Sequence, residues 1–373
     1  MKLRRIKAVA FKEFIHIIRD PRSLGMGIAI PMLLLILFGY ALTLDVDNVP
    51  VVIWDQSRSP ASRELISGFS GSRYFSVLDY VDNYAVLEHA IDTGDAQLAL
   101  IIPTDFASTL ENKNASVQLI VDGSDSNTAT IAIGYAEAVV SDFGAQVDVG
   151  TANGQMGSAP VDFRPRVWYN ADLESKNYII PGLIAVIMMV IAALMTSLTM
   201  AREWEHGSME RLISTPVRGE ELIIGKLIPY FGIGMLDVAL AVLMGEFLFR
   251  VPLRGSAALL FLLAAVFLVG ALALGMLISI VTKSQLLASQ LAMVLTFLPS
   301  FLLSGFMYAI SNMPVPVQLI TRIIPARYFV NLLKGIYLKG IGLEIMWLEA
   351  ALLAVFGLVV LMVTRLKFRK KLE

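Results

Sequence analysis

The chain has no cysteine. That excludes disulfides, thiolate metal sites and cysteine nucleophiles, but it leaves the compartment open. Histidine is nearly as scarce. His16, His89 and His206 lie far apart, and no H-E-x-x-H or comparable ligand spacing occurs. No metal site is expected. A phosphate loop is also missing. The nearest match, Gly219-Glu-Glu-Leu-Ile-Ile-Gly225-Lys226-Leu227, has five residues between its glycines where the motif needs four. It has leucine where Ser or Thr binds magnesium, and its two glutamates repel phosphate. No nucleophile elbow and no paired catalytic carboxylates stand out, so no catalytic residue and no cofactor are expected in this chain. Energy for uphill work has to come from another chain or from an ion gradient.

Charge is the next scarcity. Charged residues make up 16% of the 373, and hydrophobic residues 56%. That balance places the chain among membrane proteins. A spanning helix needs roughly 20 apolar residues, and six runs approach that length: 24–44, 178–200, 222–248, 256–281, 286–307 and 346–364. The first follows Lys2, Arg4, Arg5 and Lys7, as a secretory signal would. Its apolar run is too long for one and lacks a small-residue cleavage site, so an uncleaved anchor is expected.

Six spans put both termini on one side. The segments 1–23, 201–221 and 365–373, with Lys226 and Lys283, hold 17 Lys and Arg, against 6 on the opposite short loops. The positive-inside bias therefore predicts cytoplasmic termini and a cytoplasmic 201–221 loop. Segment 45–177 is then external, and its 19 Asp and Glu outweigh 7 Lys and Arg.

Residues 3–18 read as an in-plane amphipathic helix. Leu3, Ile6, Ala10, Phe14, Ile17 and Ile18 share one face, and Arg5, Lys12, His16 and Arg19 the other. The plainer reading is a basic flank that sets topology. Asp20-Pro21 then ends the helix, because proline disfavours helical backbone in the residue before it.

The external segment alternates strand-like and helix-like pieces. Strands are expected at 49–54, 75–80, 97–102 and 117–122. Helices are expected at 60–69 and 84–93, after Pro103, and at 128–149. The sum is a small α/β domain large enough for its own core. Residues 150–166, rich in Gly, Ser and Pro, read as a linker. Asp122 and Asp125 lack the spacing of a calcium loop and read as solvated turn residues.

Ionisable groups inside spans are functional candidates. Asp237 is the one deeply placed carboxylate. It either lines a translocation path or serves as a packing device. Glu246 and Glu349 lie near span ends, where snorkelling to the interface suffices. Two spans carry small residues every fourth position: Ala271, Gly275 and Ser279, then Ala288, Ala292, Thr296, Ser300 and Ser304. Such ridges let backbones approach closely, within one chain or between two. Pro299 predicts a kink. The stretch 313–340 holds three prolines, with Tyr328, Phe329 and Tyr337 beside Lys334 and Lys339, and reads as interfacial or partly re-entrant.

The polar loop between the second and third spans is AREWEHGSMERLISTPVRGEE, residues 201–221. A short helix is expected over 202–213, with Glu203, Glu205 and Glu210 exposed and Trp204, Met209 and Leu212 packing. Gly207 weakens that helix by about 1 kcal/mol relative to alanine, which points to a close backbone approach. Pro216 ends it, and Glu220 and Glu221 favour the start of the next helix through its dipole.

The pattern Glu205-x-Gly207-Ser208-Met209-Glu210-x-Leu212-x-x-Thr215-Pro216 resembles the coupling helix of ABC exporter permeases of the type-two class. Arg19-Asp20-Pro21-Arg22 resembles that family's elbow segment. The likeness covers essentially the whole chain. It implies an α-helical polytopic membrane protein of six transmembrane helices, with an extracytoplasmic α/β domain inserted after the first. The divisions are then an elbow helix at 1–23, a first span at 24–44, the outer domain at 45–177 and a five-span region at 178–373. The last contains a coupling helix at 202–216 and an outer re-entrant segment at 308–345.

The resemblance further implies a bacterial inner-membrane permease for drug-like or lipid-like substrates. Cytoplasmic ATPase subunits, carrying ATP and magnesium, would dock at Glu203–Pro216. A second permease chain, identical or paralogous, would complete the pathway, with membrane lipid around it and a periplasmic adaptor as a further candidate partner. No nucleic-acid partner is expected. Two other readings stand beside it. One is an ATP-independent scaffold or sensor acting through its outer domain. The other is a gradient-driven transporter using Asp237 as a proton site, against which the lack of recognisable inverted repeats counts.

Overall fold

A computed structural model describes residues 2–42, 48–111, 115–124, 126–151 and 174–368; most of the linker expected at 150–166 lies outside the described residues. The chain opens with α1 (Leu3–Arg19) and α2 (Pro21–Leu24), then a π turn (Gly25–Ala29) and α3 (Ile30–Ala41). Next come β1 (Val49–Asp55), α4 (Pro60–Gly71), β2 (Phe75–Tyr80), α5 (Tyr84–Asp92), β3 (Leu98–Ile102), α6 (Phe106–Glu111), β4 (Gln118–Val121) and α7 (Ser126–Thr151). The third part holds α8 (Ser175–Glu205), α9 (Ser208–Ser214), α10 (Gly219–Leu243) with a π turn (Met244–Leu248), α11 (Ala257–Thr282) and α12 (Gln285–Leu303). It ends with α13 (Val315–Thr321), α14 (Pro325–Lys334) with a π turn (Gly335–Lys339), and α15 (Leu343–Lys367). These elements form two compact units, Leu44–Arg166 on its own and Met1–Thr43 together with Val167–Glu373.

The smaller unit is a four-stranded sheet in the order β2-β1-β3-β4. β1 runs parallel to β2 and β3, and β4 runs antiparallel to β3. The sequence of β3, Leu-Ala-Leu-Ile-Ile, is apolar without alternation because both its faces are covered. On one side Leu98, Leu100 and Ile102 pack with Leu65 and Phe69 of α4 and Ala132 and Phe143 of α7. On the other, Ala99 and Ile101 pack with Leu87 of α5. Proline opens α4, and the hydroxyl of Ser59 caps it by accepting from the Ser62 N–H. Asn83 caps α5 in the same way. Hydrogen bonds from the Ser124 side chain and, at 2.9 Å, from its N–H hold the pKa of the Asp122 carboxylate below the ordinary carboxylate value. That is the turn geometry its composition implies; Asp125 lies outside the described residues.

The larger unit is built around α8. Among the described residues, five of its helices are long and apolar enough to cross a membrane: α8, α10 with its π turn, α11, α12 and α15. The sixth apolar run expected, 24–44, is helical from Pro21 to Ala41, but its apolar part, Gly25–Ala41, is shorter than the other five and begins in a π turn. In α8, 94% of the apolar stretch is buried, against 22% in α12 and α15, so α8 is the axis of the unit. The small-residue ridges are the seats that others make on it. A Cβ at Gly275 of α11 would fall on the Ala193 carbonyl oxygen. The Ser279 hydroxyl accepts from the N–H groups of Met200 and Ala201 at 3.0 and 2.9 Å. In α12, Ala288, Ala292, Thr296 and Ser300 are all buried, as is Ser304 just past its end, while Leu291, Leu295 and Leu298 point outward. Within this chain the ridges serve close helix packing.

At the Tyr178 end of α8, Lys334 of α14 sets its ammonium 3.3 Å from the centre of the Tyr178 ring. Lys334 and the Tyr178 hydroxyl both donate to the Gly305 carbonyl, at 2.9 and 3.1 Å. Residues 308–345 form short helices, of which α14 is well buried, through Phe329, Val330, Leu332 and Leu333.

Candidate functional site: the charged junction at the end of α8

The single helix expected over 202–213 is two. α8 runs on to Glu205, and α9 starts at Ser208. Gly207 separates them with φ +66°, a left-handed backbone that glycine adopts without strain. Nothing lies within 4 Å of where its Cβ would sit, so the glycine serves the turn rather than the close approach expected of it.

The second correction concerns Glu203. It is not exposed; only 9% of its surface remains accessible. Its Oε1 accepts from Lys226 of α10 at 3.1 Å and from Lys12 of α1 at 3.2 Å, and its other oxygen accepts from the Ser208 hydroxyl. Lys226, 2% exposed, also donates to Glu13 of α1 at 3.1 Å, and Glu13 in turn accepts from the Tyr230 hydroxyl at 3.2 Å. Two carboxylates and two ammoniums thus cancel, with a hydroxyl on each carboxylate. This is the arrangement that makes buried charge tolerable, and removing one member leaves its partners uncompensated.

A third correction follows for α1. Arg5 and Lys12 were placed on its water-facing side. Both are paired within the protein, Arg5 partly buried and Lys12 still exposed. Arg5 donates to the Pro216 carbonyl at 2.5 Å and lies 3.6 Å from Glu221, and Lys12 is spent on Glu203. The buried face of α1 is Ile6, Glu13 and Ile17, while Leu3, Phe14 and Ile18 of the expected apolar face are exposed, as is Phe11. Glu221 also accepts from the N–H groups of Lys2 and Arg218, at 2.7 and 3.0 Å. Close packing of α1 on α10 depends on Gly225, where a Cβ would press on Val9 and the Ile6 carbonyl. The stretch compared with a phosphate loop is therefore helix, and its lysine is committed to Glu13 and Glu203.

The remaining residues singled out in the sequence divide into two sets. Met209, 1% exposed, packs with Met200, Leu222, Met276 and Phe368, and Leu212 lies against the same cluster. The Thr215 hydroxyl closes α9 on the Leu212 carbonyl at 2.6 Å. Glu205, Gly207, Glu210 and Pro216 face outward. Glu205 accepts from the backbone and side chain of Gln285, and Lys283 rests 4.9 Å from the centre of the Trp204 ring. The elbow residues flank the same junction. Arg19 ends α1, Asp20 has extended backbone and pairs with Arg202 at 3.6 Å, and Pro21 begins α2. Arg22 lies in α2, and its side chain lies outside the described residues. Asp237 is not part of the junction. It is buried farther along α10, and its Oδ1 has no hydrogen-bond partner among the described residues.

Lys12, Glu13, Lys226 and Tyr230 were not singled out for a role at this site. Glu13 carried a signal: it falls on the helical face of Ile6 and Ile17, so an acid interrupts the one stripe that packs. Lys226 carried another, a cation inside an apolar run with no acid of its own helix facing it.

A sequence profile described as "ABC-2 family transporter protein" matches residues 21–366. The chain is 39% identical over 377 residues to the probable multidrug ABC transporter permease YbhS of Escherichia coli (strain K12), covering 99% of this chain and 98% of that protein. It is 30% identical over 344 residues to the probable multidrug ABC transporter permease YbhR of the same strain, covering 92% of each. It is 25% identical over 356 residues to the inner membrane transport permease YhhJ, also of that strain, covering 91% and 92%.

Proposed function

The chain belongs to the ABC-2 transporter family, and from that premise we propose that it is the membrane-spanning permease subunit of an ATP-driven exporter. It moves a hydrophobic or amphipathic substrate, drug-like or lipid-like, out of the cytoplasm or inner leaflet of a bacterial inner membrane. Six helices cross the bilayer, Pro21–Ala41 being the first. Both termini and the α8–α9 turn face the cytoplasm, and the Leu44–Arg166 unit lies outside. ATP and magnesium are held by separate ATPase subunits, and a second permease chain, identical or paralogous, completes the pathway. A periplasmic adaptor is a further partner of the outer unit.

One observation carries this reading: the exposed turn at Gly207–Arg211 stands on a buried charge cluster that joins α1, α8 and α10. A partner pressing on Glu210 therefore acts on a joint common to three helices, not on a slack loop. The surface is polar outside and anchored inside by Met209 and Leu212, as a docking element requires.

The test is a mild-detergent purification of the tagged chain from its native membrane, with mass spectrometry of what accompanies it and an ATPase assay. A stoichiometric ATPase is expected. Glu210→Lys, at an exposed position, is expected to abolish transport-linked ATP hydrolysis while shifting stability by less than about 0.5 kcal/mol. A clean complex without an ATPase, or unaltered export by that variant, overturns the proposal.

A further inference from the structure

Beside the junction, α1 and α10 enclose a groove that the ion pairs do not fill. Its volume is about 590 Å³, within the ~300–1,000 Å³ typical of ligand sites. Phe11 and Phe14 of α1 form one wall, and Ile228 and Leu236 of α10 the other. Gly232 lies between them, with nothing within 4 Å of where its Cβ would sit. The missing side chain is what leaves the space open.

The groove has a direction. Lys2 and Arg5 meet Glu221, Val9 meets Gly225, and Glu13 meets Lys226 and Tyr230, so the two helices advance together. Lys7 therefore stands at the entrance, and Leu236 lies about 12 Å farther along, at 1.5 Å per residue from Ile228. Arg4 precedes Lys7 by three residues on the same face. Both are exposed, and neither has an ion pair among the described residues, whereas Arg5 and Lys12 are each paired with an acid. One end of the groove is thus cationic and the rest apolar.

We propose that this groove holds a resident anionic phospholipid of the cytoplasmic leaflet, its headgroup at Lys7 and Arg4 and one acyl chain over Gly232. The cationic entrance matches a phosphate, and the apolar trough matches a chain lying along α10 toward the bilayer interior. The occupant completes the packing of α1 on α10 beside the Glu13–Lys226 pair. It rests on the reading of α10 as a span whose first turn is cytoplasmic, but not on any ATPase partner.

The experiment reconstitutes the full chain into vesicles of equal phosphatidylcholine and phosphatidylglycerol, re-extracts it in mild detergent and identifies retained phospholipid by native mass spectrometry. Wild type is expected to keep phosphatidylglycerol in preference to phosphatidylcholine. Gly232→Phe, which fills the trough, is expected to lose that bound species with an unchanged melting temperature. Lys7→Gln, which removes one positive charge, is expected to lower the preference about fivefold, the scale of one lysine at an anionic surface. Val294→Phe, on the exposed face of α12, is expected to retain the lipid as wild type does. Retention of phosphatidylglycerol by Gly232→Phe, equal retention of both lipids by wild type, or no retained lipid in wild type overturns the proposal. The readout needs no ATP hydrolysis, so it fails or succeeds independently of the exporter reading.

Discussion

The two ends of α8 are held in opposite ways. At Glu203, charge meets charge: two buried acids share the buried Lys226 and the exposed Lys12, contributed by three helices. At Tyr178, Lys334 lies over a ring face and donates to the Gly305 carbonyl, with no carboxylate in ion-pair reach among the described residues. The first arrangement is all-or-none. Displacing one member strands another charge in a low-dielectric setting, so the junction favours discrete positions over gradual drift. The second is forgiving, because a ring face and a carbonyl accept a cation over a range of positions.

The comparison breaks first at Lys226. Lys226→Met leaves Glu13 and Glu203 with Lys12 alone, and a loss of about 3–5 kcal/mol is expected in detergent unfolding of the full chain. The companion variant Glu13→Leu/Lys226→Met removes both members of the most buried pair and is expected to recover most of that loss. A single-variant cost below about 1 kcal/mol would mean that the junction is no stiffer than a surface pair. Gly207→Ala comes next. Forcing a Cβ into the left-handed conformation costs about 1–2 kcal/mol, and the same unfolding assay checks it. The soft end ranks below that. Lys334→Met is expected to cost about 0.5–2 kcal/mol, the range of a cation over an aromatic ring. A loss as large as that of Lys226→Met would erase the distinction between the ends. Smallest is Arg365→Gln. The Arg365–Glu220 pair is close, 2.6 Å, but Arg365 is 65% exposed. At most about 1 kcal/mol is expected, diminishing in high salt.

What the sequence disclosed follows the range of the forces involved. The strands and helices of the Leu44–Arg166 unit lie within a few residues of where periodicity, Pro60, Asn83 and the turn residues put them, because those signals are local. The apolar runs were equally plain, and their small-residue ridges were visible as spacing. The site was half legible. Gly207 and Pro216 marked a turn and a stop. Met209 and Leu212 were recognisable as the packing side. Glu203 was misplaced because its environment is tertiary. Its neighbours Glu205 and Glu210 are solvated, and nothing within that loop distinguishes an acid with two lysines waiting from an acid in water. Arg5 was misread for the same reason, whereas Lys12 remains exposed as its face predicts. An amphipathic pattern shows that two faces differ, but the apolar one can turn to lipid while the polar one turns inward.

The Glu13–Lys226 bond joins residues 213 positions apart. At translation rates of about 5–20 residues per second, on the order of 10–40 s separate the synthesis of one partner from the other. Through that interval α1 exists without Lys226, without Glu203 for most of it, and with the whole α/β unit being made in between. A joint near the beginning of the protein therefore cannot close until more than half of the chain has been made. Until α10 arrives, α1 lacks both side chains that bury against Glu13, the Lys226 ammonium and the Tyr230 hydroxyl.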